Sequence, residues 1–128
     1  MKLSLDQGTA SHLIRQYDAS GITVNETRYT RDLILMPEAV IEDWASAPPA
    51  ELTLSHFDAL SGHDREILLL GTGREQRFPP ARLIAELGRQ GIGLEVMDTA
   101  AACRTYNVLM SEDRRVAAAL MMIEPGDE

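Results

Sequence analysis

The chain has 128 residues, 45% of them hydrophobic and 25% charged, with a formal net charge of −8. That length suits one domain with its own core, and the apolar fraction excludes a disordered chain. The acidic balance excludes a general nucleic-acid surface or an anionic-membrane surface, both of which are held by Lys and Arg.

The first residues, Met1 to Gly8, contain no apolar signal segment, and the longest apolar run, Val116 to Ile123, is far short of a membrane span. A cytoplasmic protein with no direct membrane insertion is expected. Residues 1–10 and 124–128 are expected to be mobile ends of a single domain covering 1–128. His12 to Tyr17 is expected to form a strand, Asp18 to Gly21 a turn, and Ile22-Thr23-Val24 the returning strand. Leu33 to Met36 forms a further strand stopped by Pro37, and Glu38 to Trp44 holds another short strand or edge. Pro48-Pro49 marks a loop. Ser55 is placed as the cap of a short helix, His56 to Leu60, ended by Gly62.

The second half is more regular. Glu66 to Leu70 is a strand segment, continuously apolar after Glu66 and closed by Gly71-Thr72-Gly73, the pattern of a strand buried on both faces. Pro79-Pro80 opens a helix through Gln90 with Leu83, Ile84 and Leu87 on one stripe, and Gly91 occupies the C′ position. Ile92 to Met97 is a strand, Asp98 or Thr99 caps a helix through about Met110, and Arg115 to Ile123 is the last strand. Strand, helix, strand, helix, strand after a β-rich half predicts an α/β fold with a mixed sheet. Leu120 to Ile123 has no polar residue at alternate positions. Either both faces of that strand are covered within the chain or one docks on a partner.

Chemistry-bearing residues are sparse. Gly71-Thr72-Gly73 follows a buried strand, where glycines permit close approach of backbone to a ligand, but it matches neither the dinucleotide fingerprint nor the Walker loop. Arg77 and Thr99 belong to loops that converge at the carboxyl ends of neighbouring strands, and Arg104 and Asn107 share one helix face. Gly71, Thr72, Gly73, Arg77, Thr99, Arg104 and Asn107 are therefore the candidate anion-binding set, weighed against a tight turn and an internal capping network. Cys103, the single cysteine, lies among Ala100, Ala101 and Ala102, the setting of a packed thiol. His56 and His63 are seven apart, not the spacing of two ligands on one helical turn. No catalytic residue, metal ligand or cofactor is assigned.

Three stretches carry a family resemblance. They are Leu68 to Gly73 with Arg77-Phe78-Pro79, Gly91 to Thr99, and Ala102 to Leu109 running on to Arg115 through Leu120. Together they resemble the MTH-type domain-of-unknown-function family, which includes a mitochondrial assembly factor for respiratory complex I and uncharacterised bacterial proteins. The resemblance implies a three-layer α/β fold with a mixed central sheet and additional β structure from the N-terminal half. It implies no agreed catalytic residue or cofactor. The functional expectation is a non-enzymatic interaction or assembly factor whose partner is another protein or a membrane-complex subunit. A small anionic-ligand binder or minor enzyme is the alternative. The charge is unevenly spread, −6 over residues 1–64 and −2 over 65–128, with a mildly basic stretch around the glycine turn.

Overall fold

The structure, a computed structural model, describes residues 11–44 and 46–124. The ends expected to be mobile, 1–10 and 124–128, lie outside the described residues except for Glu124. A hairpin and a third strand come first: β1 (Ile14–Asp18), β2 (Gly21–Val24) and β3 (Thr27–Tyr29) form an antiparallel sheet in that order. The Asp18–Gly21 turn is pinned by Arg28, whose guanidinium donates to both Asp18 oxygens at 3.0 Å, and β2 turns into β3 at Asn25, which adopts a positive φ of 53°. β3 is an addition to the sequence expectation. Its Thr27 and Arg28 are exposed, so it shows no apolar alternation.

The central sheet has five strands in the order β5-β4-β8-β6-β7, formed by β4 (Leu33–Met36), β5 (Ala39–Ile41), β6 (Ile67–Thr72), β7 (Gly93–Met97) and β8 (Val116–Met121). β6 pairs in parallel with both β7 and β8, while β4 pairs antiparallel with β8 and β5, so the sheet is mixed. The long connections from β6 to β7 and from β7 to β8 are helices, as parallel neighbours require: α1 (Ala81–Arg89) and α2 (Thr99–Ser111). Gly91, with φ +81°, stands just past α1 where an L side chain would be strained.

Three layers result. Leu68 and Leu70 of β6 face α1, with Leu83, Leu87, Phe57 and Trp44 in one core cluster. Leu69 faces the opposite way, toward Ala102, Cys103 and Tyr106 of α2 and Ile14, Ile22 and Val24 of the small sheet. The pleat of a strand covered on both faces thus serves two cores at once. Ala117, Ala118 and Ala119 in β8 are fully buried, and their small side chains let both layers approach the sheet. Met121 belongs to the first cluster, Leu120 and Met122 to the second, so both faces of the last strand are covered within the chain.

One segment departs from expectation. Leu54–Leu60 is a 3₁₀ segment with a kink at Phe57, not an α-helix from His56, and Thr53 rather than Ser55 stands at its N-cap. The Thr53 N–H donates to Nδ1 of His56 at 3.0 Å, so the start of the segment is closed by a cap two residues before Ser55. Trp44 explains the tight winding: its indole N–H donates to the His56 carbonyl at 2.7 Å and its ring packs on Phe57.

Candidate functional site

The carboxyl end of β6 is built around one buried hydroxyl. Thr99, the first residue of α2, is fully buried; its Oγ1 donates to the Met121 carbonyl at 2.6 Å and accepts from the Gly73 N–H at 2.8 Å. Its own N–H donates to the Gly73 carbonyl at 2.9 Å. β6, β8 and α2 are thereby tied at a single residue, with no polar atom of that side chain left over. The approach is close enough to demand glycine. A Cβ at Gly71 would stand 3.0 Å from both Cα and Oγ1 of Thr99, and Gly73 has φ +93°. Asp98 caps α2, accepting from the Ala101 N–H at 2.8 Å.

A second hydroxyl organises the loop that follows. Thr72 Oγ1 accepts from the Arg77 N–H at 2.9 Å and donates to the Glu75 carbonyl at 2.6 Å. The Arg77 guanidinium reaches Glu75 at 3.2 Å, and Arg74 pairs with Glu124; all four side chains are exposed.

The seven residues singled out from the sequence are split by the fold. Gly71, Thr72, Gly73, Arg77 and Thr99 gather at the end of β6. Arg104 and Asn107 are turned toward the small sheet, where Arg104 donates to Tyr17 Oη at 2.8 Å and Asn107 bonds the backbone of Ile14. Within the first group, the Gly73 amide is already taken by Thr99. What remains open there is a cleft of about 490 Å³ between that loop and the segment around Pro48-Pro49. Asp32, Ser46 and Arg74 line it and escaped the sequence reading. Asp32 and Ser46 are joined by a 2.6 Å hydrogen bond across fourteen positions, a separation with no local signal.

Elsewhere the reactive groups are occupied or buried. Cys103 is 1% exposed, and burial pushes its thiol up to about 12, against a smaller opposing effect of Arg104. Burial likewise raises the Tyr106 phenol, which donates to the His12 carbonyl at 2.7 Å. His63 and Arg65 both meet Glu38, at 3.0 and 3.2 Å. Among the described residues no three His, Cys, Asp or Glu side chains are grouped to hold a metal ion.

The architecture is that of an α/β protein with a parallel β-α-β-α-β unit extended on one side by antiparallel strands. The chain belongs to the family described as protein of unknown function DUF498/DUF598, which matches it over residues 14–121. A solved Bordetella pertussis structure described as a Mth938-like domain superposes with a TM-score of 0.80 at 33% identity, covering 98% of this chain and 95% of that one. The "NADH dehydrogenase [ubiquinone] 1 alpha subcomplex assembly factor 3" of Danio rerio is 31% identical across 90% of this chain and 67% of its own length. A Francisella tularensis protein named "13 kDa major membrane protein" is 29% identical across 94% of this chain and 99% of its own. Among the described residues no helix is long and apolar enough to cross a membrane.

Proposed function

We propose that this chain is a non-enzymatic interaction protein that assists assembly of a larger complex, docking through residues 74–80 and the first turns of α1. Phe78 carries this reading. It is 61% exposed between Arg77 and Pro79, whereas the other phenylalanine, Phe57, is buried. Aromatic rings and arginines are enriched among interface anchors. Two residues on, Pro80 enters a groove of about 460 Å³ whose apolar lining is completed by Leu52, Leu54 and Leu83, giving a partner side chain a place to insert. The assembly-factor relatives suggest the partner class, a subunit of a respiratory membrane complex. We take residues 1–128 as one domain, because both core clusters share the same five-stranded sheet.

Affinity purification of the full chain from native lysate tests this. A stoichiometric protein partner is expected, and Phe78→Ala should lose it while keeping its far-ultraviolet spectrum and melting temperature. Absence of any stoichiometric partner, or full retention by Phe78→Ala, would overturn the reading. A cytoplasmic location accompanies the proposal. The name of the Francisella relative makes membrane attachment the competing location, and fractionation with a salt wash separates the two.

A further inference from the structure

The parallel unit reverses direction once. From β6 the chain passes through α1 to β7 on one side, and from β7 through α2 to β8 on the other side of β6. β6 and β8 therefore lie side by side in parallel, with their carboxyl ends at one edge, and in open α/β sheets ligands bind outside the carboxyl ends of the strands. The 490 Å³ cleft lies outside the carboxyl ends of β6 and β8 and has the volume of a small-molecule site. Gly73, Met121 and Met122 line its inner part, Pro48 and Pro49 its side, and Arg74 and Arg77 its charged part.

We propose that this cleft binds a small organic anion with an apolar body, of the class of a short-chain monocarboxylate. The charge is taken by Arg77 and Arg74, and the apolar body lies against Pro48, Pro49 and Ile123. Three observations lead there. First, Arg77 extends from a fixed base, because the largely buried Thr72 hydroxyl holds its backbone N–H and the Glu75 carbonyl together. The backbone from which the Arg77 side chain leaves is therefore ordered before a ligand arrives, which lowers the entropy lost on binding.

Second, the present partners of the two arginines are replaceable. Glu75 is two residues from Arg77 and 67% exposed, and the Arg74–Glu124 pair is similarly solvated. Such exposed pairs contribute only about 0–1 kcal/mol. A ligand carboxylate that meets the guanidinium fork while its body leaves water gains more than it displaces.

Third, the wall is built before any ligand arrives. Asp32 is the other acid of the cleft, and both its oxygens are engaged: Oδ1 accepts from the Met122 N–H at 2.8 Å and Oδ2 from the Ser46 hydroxyl at 2.6 Å. Those bonds fix the distance between the end of β8 and the segment leading to Pro48. Only Thr72, Gly73 and Arg77 of the sequence-derived set touch the cleft, and Arg74 supplies its second guanidinium.

Nuclear magnetic resonance titration of the full ¹⁵N-labelled chain tests the proposal with three probes. Hexanoate has charge and body, hexanol has the body alone, and acetate has the charge alone. Hexanoate is expected to give saturable shifts at amides of residues 72–77 and 121–123. Each incomplete probe should bind at least about tenfold more weakly, and so should hexanoate with Arg77→Gln or Arg74→Gln, the loss of one charge-assisted contact. Arg89→Gln, outside the cleft, should bind like wild type. No saturable shift with hexanoate, equal binding of hexanol, or unchanged affinity in both cleft variants would overturn it. Arg74 and Arg77 belong to both the docking segment and the cleft, whereas Phe78 does not line the cleft, so Phe78→Ala losing the partner while binding hexanoate like wild type keeps the two readings distinguishable.

Discussion

Asn107 on α2 closes a pair of hydrogen bonds on the backbone of Ile14 in β1: Oδ1 accepts from the Ile14 N–H at 3.0 Å, and Nδ2 donates to the Ile14 carbonyl at 2.7 Å. A primary amide offers the same donor and acceptor as a peptide group, so it stands in for a neighbouring strand. The substitution occurs where the pairing of β1 with β2 is irregular, between Ile14 and Gln16. Arg104, one turn earlier on the helix, adds its bond to Tyr17. The small sheet is therefore attached to α2 by directed polar contacts as well as by its apolar side chains.

Asn107→Ala should destabilise the chain by about 1–3 kcal/mol, because both polar groups of Ile14 lose their partner in a partly buried site. Urea denaturation measures the total. Amide exchange locates it, with protection expected to fall in β1 before β6. Equal loss in both strands would mean that Asn107 acts on the whole fold and not on attachment of the small sheet.

The junction at Thr99 predicts a matched set of variants. Thr99→Val keeps the shape but strands the Gly73 N–H and the Met121 carbonyl, at a cost of about 2–5 kcal/mol. Gly71→Ala pushes a methyl toward the Thr99 backbone and costs about 1–3 kcal/mol. Gly88→Ala is the control: it lies inside α1 with nothing within 4 Å of the added carbon, so it should gain about 0.5–1 kcal/mol. Chemical denaturation of the three should order them that way, and a neutral Gly71→Ala would remove the steric account of that glycine.

Cys103 is expected to be inert in the folded chain. Its thiol is buried and its pKa is pushed up to about 12, so thiolate is scarce at pH 8. Ellman's reagent should react with one thiol per chain in urea and with essentially none under native conditions. Rapid native reaction would show that α2 opens from the sheet, or that the thiol is far less buried than its contacts with β6 and β8 imply.

These contrasts show what a sequence conveys here. β6 was legible because Ile67 to Leu70 is apolar at every position and ends in glycine, which only a doubly covered strand tolerates. α2 was legible through Asp98, whose capping role is local. β3 was not, since three residues with an exposed Thr27 and Arg28 leave no periodicity to detect. The membership of the cleft was equally hidden. Asp32 meets the Met122 backbone across ninety positions, and the direction of Arg104 depends on a small sheet packing on that face of α2. Pattern reveals which residues are buried, whereas the partners of polar side chains are decided by tertiary contacts.

Glu38, beside β5, joins His63 and Arg65, and it predicts a pH dependence. Burial alone raises its carboxyl, but the hydrogen bond from His63, together with a backbone bond and the Arg65 charge, outweighs that, and the folded value lies below the ordinary 4.5. A carboxyl depressed by folding contributes stability that is complete above its unfolded pKa and is lost as pH falls through the folded one. Urea midpoints should therefore be steady just above pH 4.5 and decline below it, with Glu38→Gln declining less steeply. Glu66 is held low in the same direction by its hydrogen bond from Arg114, so Glu66→Gln should flatten the same limb and the double variant should flatten it further. Arg65 sharpens the test. Its side chain is only 10% exposed and its Nη1 also donates to the Val116 carbonyl at 3.1 Å, so neutralising Glu38 leaves a buried cation without its counter-charge. Glu38→Gln should accordingly be less stable than wild type at pH 7 and approach it as pH falls. Parallel curves from pH 7 to pH 3 would show that the Glu38 pair contributes nothing to folding.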